Sequence, residues 1–207
     1  MRAGARMDDE SRSQAALIAR AKTEARRMTL TARKAANAAG LDTAAQAHLR
    51  AALAGHAGTV LAGYMPIRSE IDPLPVMAVH DGPVVVPVIM GKGQALTFHR
   101  WQPGCAMIEG PFGAMVPADA EALVPQVLIV PMVGFDARGF RLGYGGGFYD
   151  RTLAALRAAG PVTALGFAYG AQEVPALPVD DHDQRLDAVV TERGIRHFRY
   201  QDPQNTR

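Results

Sequence analysis

Cysteine is almost absent from this chain of 207 residues, which has one, Cys105. An internal disulfide is therefore impossible and a multi-cysteine zinc site is excluded, which fits a reducing compartment. Long apolar runs are also missing. The longest, Val84–Met90, is broken by Pro87 and falls far short of the ~18 residues of a membrane span. No apolar core segment follows the arginines of the first ten residues, so no signal peptide is predicted. Charge of one sign is not in excess, because 22 Lys and Arg stand against 20 Asp and Glu, a net +2. That is too little to hold nucleic acid by bulk electrostatics. With 48% apolar and 20% charged residues, a globular cytoplasmic protein is expected, acting as a monomer without nucleic-acid or membrane partners.

Several catalytic signatures are missing too. No Gly-Lys-Ser or Gly-Lys-Thr completes a Walker A loop, and no Gly-x-Ser-x-Gly elbow supports an acyl-serine mechanism. Histidine and Cys105 are not at zinc-ligand spacing.

The residues present are unevenly placed. Residues 1–60 hold 10 Lys and Arg against 5 Asp and Glu, and the remainder 12 against 15. Ser11–Ala39 lacks Gly and Pro and predicts one long helix stopped by Gly40. A flexible tail is expected at residues 1–13 and one α/β domain over residues 14–207. Thr43–Leu53 predicts a second helix capped by Asp42 or Thr43. Buried strands are expected at Thr59–Tyr64, Val84–Met90, Val127–Phe135 and Val162–Tyr169, and a last one at Asp187–Thr191. Leu96–Arg100 reads as a more exposed strand. Helices are expected at Asp72–His80, with Pro73 in its first turn, and at Tyr149–Ala159. Strands separated by helices imply an α/β fold with a largely parallel sheet, since parallel neighbours need a crossover.

The 21 glycines are not scattered evenly. Between the strand ending at Phe135 and the helix beginning at Tyr149, Gly143, Gly145, Gly146 and Gly147 fall within five positions. A glycine loop feeding a helix N-terminus aims free N–H groups at one spot, which makes an anion site. Phe148 and Asp150 occupy the places where a dinucleotide fingerprint would need its last glycine. A helix terminus contributes about 0.3–1 kcal/mol to anion binding, and ~2 when partly buried. Micromolar affinity needs about 8 kcal/mol, so other charges must converge.

Lys22, Arg26 and Arg33 fall within roughly 40° of one another at about 100° per residue on the first helix. A solvated basic face is the plain alternative. Asp150 is either a helix-dipole carboxylate or a Mg²⁺ ligand beside phosphates. Asp180, Asp181, Asp183 and Asp187 precede the last strand as turn and capping residues, one of which could complete a metal site. Glu70 follows the first strand, and ligands gather at the carboxyl ends of parallel strands.

Four patterns together resemble the 5-formyltetrahydrofolate cyclo-ligase (methenyltetrahydrofolate synthetase) family. They are Phe135-Asp-x-x-Gly-x-Arg-Leu-Gly-Tyr-Gly-x-Gly-Phe-Tyr-Asp150-Arg, Tyr64-x-Pro-x-x-x-Glu70-Ile-Asp72, Lys22-x-x-x-Arg26 with Arg33, and Asp183-x-x-x-Asp187. They span about residues 15 to 193. The resemblance implies a three-layer, Rossmann-like α/β fold and ATP- and Mg²⁺-dependent conversion of 5-formyltetrahydrofolate to 5,10-methenyltetrahydrofolate. It implies that Lys22, Arg26 and the loop Arg141, Leu142, Gly143, Tyr144, Gly145, Gly146, Gly147, Phe148 and Tyr149 bind ATP. Asp150 and Asp187 would hold the metal. Met65, Glu70 and the Tyr144–Phe148 stretch would meet the folate, with Arg141, Tyr149 and Glu70 as catalytic residues. The sequence departs from many relatives at Gly146, where they carry lysine, and at Phe148, where they carry tyrosine. A sugar-phosphate isomerase or transferase on a related scaffold, or a non-catalytic folate- or nucleotide-binding module, is the alternative reading.

Overall fold

A computed structural model describes residues 2–111 and 114–198. Its centre is a seven-stranded sheet of β1 (Leu61–Ala62), β2 (Val84–Val88), β3 (Thr97–Trp101), β6 (Val127–Pro131), β9 (Thr163–Phe167), β11 (Ala188–Thr191) and β12 (Gly194–His197). The spatial order is β12-β11-β9-β6-β1-β2-β3. The five inner strands are parallel, and the edge strands β3 and β12 pair antiparallel with β2 and β11. Smaller sheets are a hairpin of β4 (Met107–Glu109) and β5 (Met115–Pro117), and β10-β7-β8 from β7 (Gly134–Asp136), β8 (Arg141–Leu142) and β10 (Glu173–Val174).

Side chains alternate across a strand, and here both faces are apolar. Leu61, Val84, Val86, Val127 and Ile129 pack with Leu49 and Leu53 of α2 (Asp42–Leu53). Ala62, Val85, Leu128 and Val130 pack with Leu153 of α4 (Phe148–Ala159) on the other face. The result is the expected three-layer α/β fold.

Several boundaries differ from the sequence expectation. Helix α1 runs Arg2–Ala38, so the segment expected as a tail is helical from Arg2. The physical reason is composition: Ala, Arg, Met and Glu are strong helix formers, no proline precedes Pro66, and Gly4 alone interrupts them. Leu41, not Asp42 or Thr43, occupies the N-cap of α2, without a side-chain cap bond. Asp42 instead accepts a hydrogen bond from the Tyr169 hydroxyl. The Asp72–His80 helix shrinks to α3 (Leu74–Met77), with Pro73 at its N-cap and Asp72 accepting from the Leu74 N–H at 2.9 Å. The single strand expected at Val127–Phe135 divides into β6 and β7, which belong to different sheets. Beyond the strand expected to be last, β12 adds an antiparallel hairpin partner.

Among the described residues no helix is long and apolar enough to cross a membrane.

Leu49 is fully buried between α2 and the sheet, while Leu17 on α1 is 67% exposed. Leu49→Ala should lower unfolding free energy by about 2–5 kcal/mol. Leu17→Ala should change it by less than about 0.5 kcal/mol. Urea denaturation midpoints at constant slope would check the pair.

Candidate active site

In the sheet, β1 leads to β2 on one side, while β6 lies on the other and leads to β9. The connections thus reverse direction between β1 and β6. Open α/β sheets bind ligands at such a switch, outside the carboxyl ends of the strands. A cleft of about 1160 Å³ occupies that place, with Tyr64 to Glu70 after β1 and Pro131 at the end of β6 among its lining. Its other walls are the glycine loop, Lys22 and Arg26 of α1, the Asp180–Gln184 segment, and apolar Ile89, Leu96 and Met115.

Lys22, Arg26, Met65, Glu70, Arg141, Leu142, Gly143 to Gly147, Phe148, Tyr149 and Asp150 all line this one cleft. The loop is built for close approach. Gly147 has φ 63° at the N-cap of α4, and no side chain caps that helix. Its N-terminal dipole therefore faces an open position, flanked by guanidinium groups. Arg26 donates through Nε to the Gly143 carbonyl at 2.8 Å, and Arg151 donates to the Gly146 carbonyl. Arg151 thus brings a cation to the Gly146 backbone, where the resemblance would place a lysine.

Arg141 is buried and donates through Nη2 to Asp150 Oδ1 at 2.7 Å and through Nη1 to the Gln184 carbonyl at 2.6 Å. Burial pulls its pKa down, and Asp150 opposes that shift. The Gln184 N–H also donates to Asp150 Oδ1, at 3.0 Å. Lys22 Nζ lies 2.7 Å from Asp183 Oδ2 and 3.0 Å from Asp180 Oδ2. Burial opposes its charged form, yet the bonds to the two aspartates hold its pKa above the ordinary lysine value.

Asp187 is not brought to the cleft. Its Oδ2 accepts from the Ala164 N–H at 2.7 Å and from Arg157 at 3.2 Å, at the amino end of β9. From the Asp180–Asp187 run the cleft takes Asp180, Asp181 and Asp183 beside Asp150 but not Asp187, and Asp183 also acts electrostatically on Arg141. Arg33 also departs from expectation. It is buried beneath the cleft, with Glu70 Oε1 at 3.6 Å and the Tyr144 ring centroid at 5.6 Å.

Glu70 Oε1 accepts from the Tyr144 hydroxyl at 3.0 Å, and Oε2 accepts from the Ile67 N–H at 3.0 Å. Burial raises its pKa, against the Ile67 bond, Arg33 and Tyr144. The Tyr149 hydroxyl is buried without a hydrogen-bond partner among the described residues. Burial pushes its pKa up, so it stays a proton donor. Sequence reasoning did not single out Ile89, Leu96 and Met115 as cleft residues.

The sheet and its cleft define a three-layer α/β protein with a ligand site at the topological switch. More particularly, the chain belongs to the 5-formyltetrahydrofolate cyclo-ligase family, whose model matches residues 11–192. It is similar to the 5-formyltetrahydrofolate cyclo-ligase of Escherichia coli (strain K12), 50% identical over 66 residues, or 32% of this chain and 36% of that protein. It is 30% identical to the cyclo-ligase of Mycolicibacterium smegmatis over 151 residues, covering 67% of this chain and 76% of the relative. The match to the Escherichia coli protein thus spans about a third of that relative's length. The NMR structure of Aquifex aeolicus 5,10-methenyltetrahydrofolate synthetase superposes with TM-score 0.69 at 28% identity, covering 86% of this chain and 93% of that one.

Because the folded pKa of Glu70 lies above its ordinary value of 4.5, ionisation costs stability in the folded state. Its contribution is complete below the unfolded pKa and is lost as pH rises through the folded one. The melting temperature of wild type relative to Glu70→Gln should therefore fall as pH is raised from 4.5. A pH-independent difference between the two proteins would contradict the assignment.

Proposed function

We propose that this protein converts 5-formyltetrahydrofolate to 5,10-methenyltetrahydrofolate with hydrolysis of ATP to ADP and phosphate. The observation that carries this reading is one cleft joining an uncapped glycine loop and its cations to an apolar wall ending in a buried glutamate. The first half suits a polyphosphate and the second a flat, amide-rich ring with donors for Glu70.

The formyl oxygen attacks the γ-phosphorus of ATP and ADP leaves. N10 then closes on the activated carbon, loses its proton, and phosphate departs. Phosphoryl transfer asks mainly for alignment and charge neutralisation, so no protein nucleophile is required. Lys22, Arg26 and Arg141 bind phosphate oxygens, and loop N–H groups orient them. Glu70 accepts from ring N–H groups, with Met65, Tyr144 and Phe148 against the folate. The Tyr149 hydroxyl donates to a substrate oxygen.

Among the described residues no three Asp, Glu, His or Cys side chains form a complete metal cage. Magnesium suits what is present, since it commonly takes one or two carboxylates plus substrate phosphates and keeps water. Asp150 and Asp183 would hold it, and it would supply neutralisation of phosphate charge.

Formation of the methenyl product, followed by absorbance, should require both 5-formyltetrahydrofolate and MgATP. No product from folded protein with both present would overturn the assignment. In the same assay Asp183→Asn should raise the Mg²⁺ concentration for half-maximal rate about tenfold, a loss of roughly 1.4 kcal/mol. Asp187→Asn should leave that midpoint unchanged; the reverse pattern would restore Asp187 as the ligand.

A further inference from the structure

Arg68 is the only non-glycine residue with positive φ among the described residues, at 56°. It is the second residue of the Ile67–Glu70 turn, which the Glu70 N–H closes on the Ile67 carbonyl at 3.1 Å. A positive φ at that turn position is ordinarily filled by Gly, Asn or Asp, and an arginine there is strained. Local turn chemistry does not account for the residue, so its side chain is the place to look.

The other cations of the cleft have partners. Lys22 holds Asp180 and Asp183, Arg26 the Gly143 carbonyl, Arg141 Asp150, and Arg151 the Gly146 carbonyl. Arg68 lines the same cleft, is exposed, and makes no hydrogen bond or ion pair among the described residues. Arg68 acts on Glu70 electrostatically, but Glu70 already has Arg33 at 3.6 Å and the Tyr144 hydroxyl at 3.0 Å, so neutralising it does not require Arg68.

We propose that Arg68 is a specificity-determining residue that binds a carboxylate at the glutamate end of the folate. The inference rests on the function proposed above. Lys22, Arg26 and Arg141, the cations assigned to phosphate, stand on or beside the glycine loop. Arg68 instead belongs to the loop after β1, whose cleft residues Met65 and Ile67 join Ile89, Leu96 and Met115 in the apolar wall. One folate carries both the flat rings that suit this wall and an anionic tail. The turn splits its charged groups accordingly, with Glu70 buried for ring donors and Arg68 at the exposed rim. A guanidinium pairs with a carboxylate through two parallel N–H bonds, and a backbone fixed in a tight turn lowers the ordering cost of doing so.

The test uses Arg68→Gly and Arg68→Lys, with 5-formyltetrahydrofolate and with 5-formyltetrahydropteroate, which lacks the glutamate, at saturating MgATP. Glycine suits the turn, so the melting temperature should hold or rise, and a fall would overturn the proposal by marking Arg68 as structural. For the glutamate-bearing substrate Arg68→Gly should raise KM about ten- to a hundredfold, the range for a lost charge-assisted hydrogen bond. The kcat and the KM for ATP should stay unchanged, and Arg68→Lys should recover part of the loss. With the truncated substrate wild type and variants should have the same KM. An unchanged KM, an equal rise for both substrates, or a rise in KM for ATP would each overturn the assignment. If wild type turned over neither substrate, the activity would fall. Calorimetric binding of 5-formyltetrahydrofolate to wild type and Arg68→Gly would then decide Arg68 by itself, with equal or absent binding overturning it.

Discussion

Removing a guanidinium from water costs several kcal/mol unless partners replace the solvent, and Arg33 is 1% exposed. Partners for its Nε and Nη1 come from all around the cleft floor, while Nη2 is buried without a hydrogen-bond partner among the described residues. Ser69 Oγ lies at 3.2 Å and Glu70 Oε1 at 3.6 Å, both in the loop after β1; the Met132 carbonyl just past β6 lies at 3.5 Å. The ring of Tyr144, from the glycine loop, covers its face. One cation of α1 is thus shared by three other segments. At about 1.5 Å per residue, Arg26 and Lys22 stand about 10 and 16 Å further up the same helix. Fixing Arg33 therefore fixes where along the cleft those two cations act.

The central sheet was legible because its strands obey one rule. Val84–Val88 and Val127–Pro131 are near-continuous apolar runs, the mark of strands buried on both faces. The glycine loop was legible because four glycines within five positions have no other economical explanation. Arg33 was not. Helical periodicity states which face a residue shares with Lys22 and Arg26, but not whether that face passes from solvent into the core along its length. Asp183 and Asp187 were indistinguishable for a related reason. They lie four residues apart in a run without regular secondary structure up to the start of β11, so no period relates position to direction. The Leu96, Ile89 and Met115 wall required tertiary contact between segments far apart in sequence.

Two cations of the cleft, Lys22 and Arg141, are already paired with carboxylates, though not equally firmly. The Lys22 pair with Asp180, whose side chain is 45% exposed, lies at the screened surface, where ion pairs contribute about 0–1 kcal/mol. Arg141, at 4% side-chain exposure, is enclosed, and leaving it without Asp150 would strand a charge out of water. Lys22 can therefore give up Asp180 more readily than Asp183, which it holds at 2.7 Å with both side chains 16% exposed, while Arg141 and Asp150 form a fixed electrostatic frame. A polyanion arriving with a divalent cation would bring both signs at once and leave each protein charge matched.

Helix α4 has Gly147 at its N-cap and no side-chain cap hydrogen bond at its first turn. A serine or aspartate cap would stabilise the isolated helix by about 1 kcal/mol, and it would do so by presenting an oxygen to the very N–H groups that face the cleft. Such a cap would be a tethered competitor, present at every moment at high effective concentration. The bare N-terminus avoids built-in self-inhibition, and the stability it forgoes is of the same order as the affinity that an internal rival would have removed.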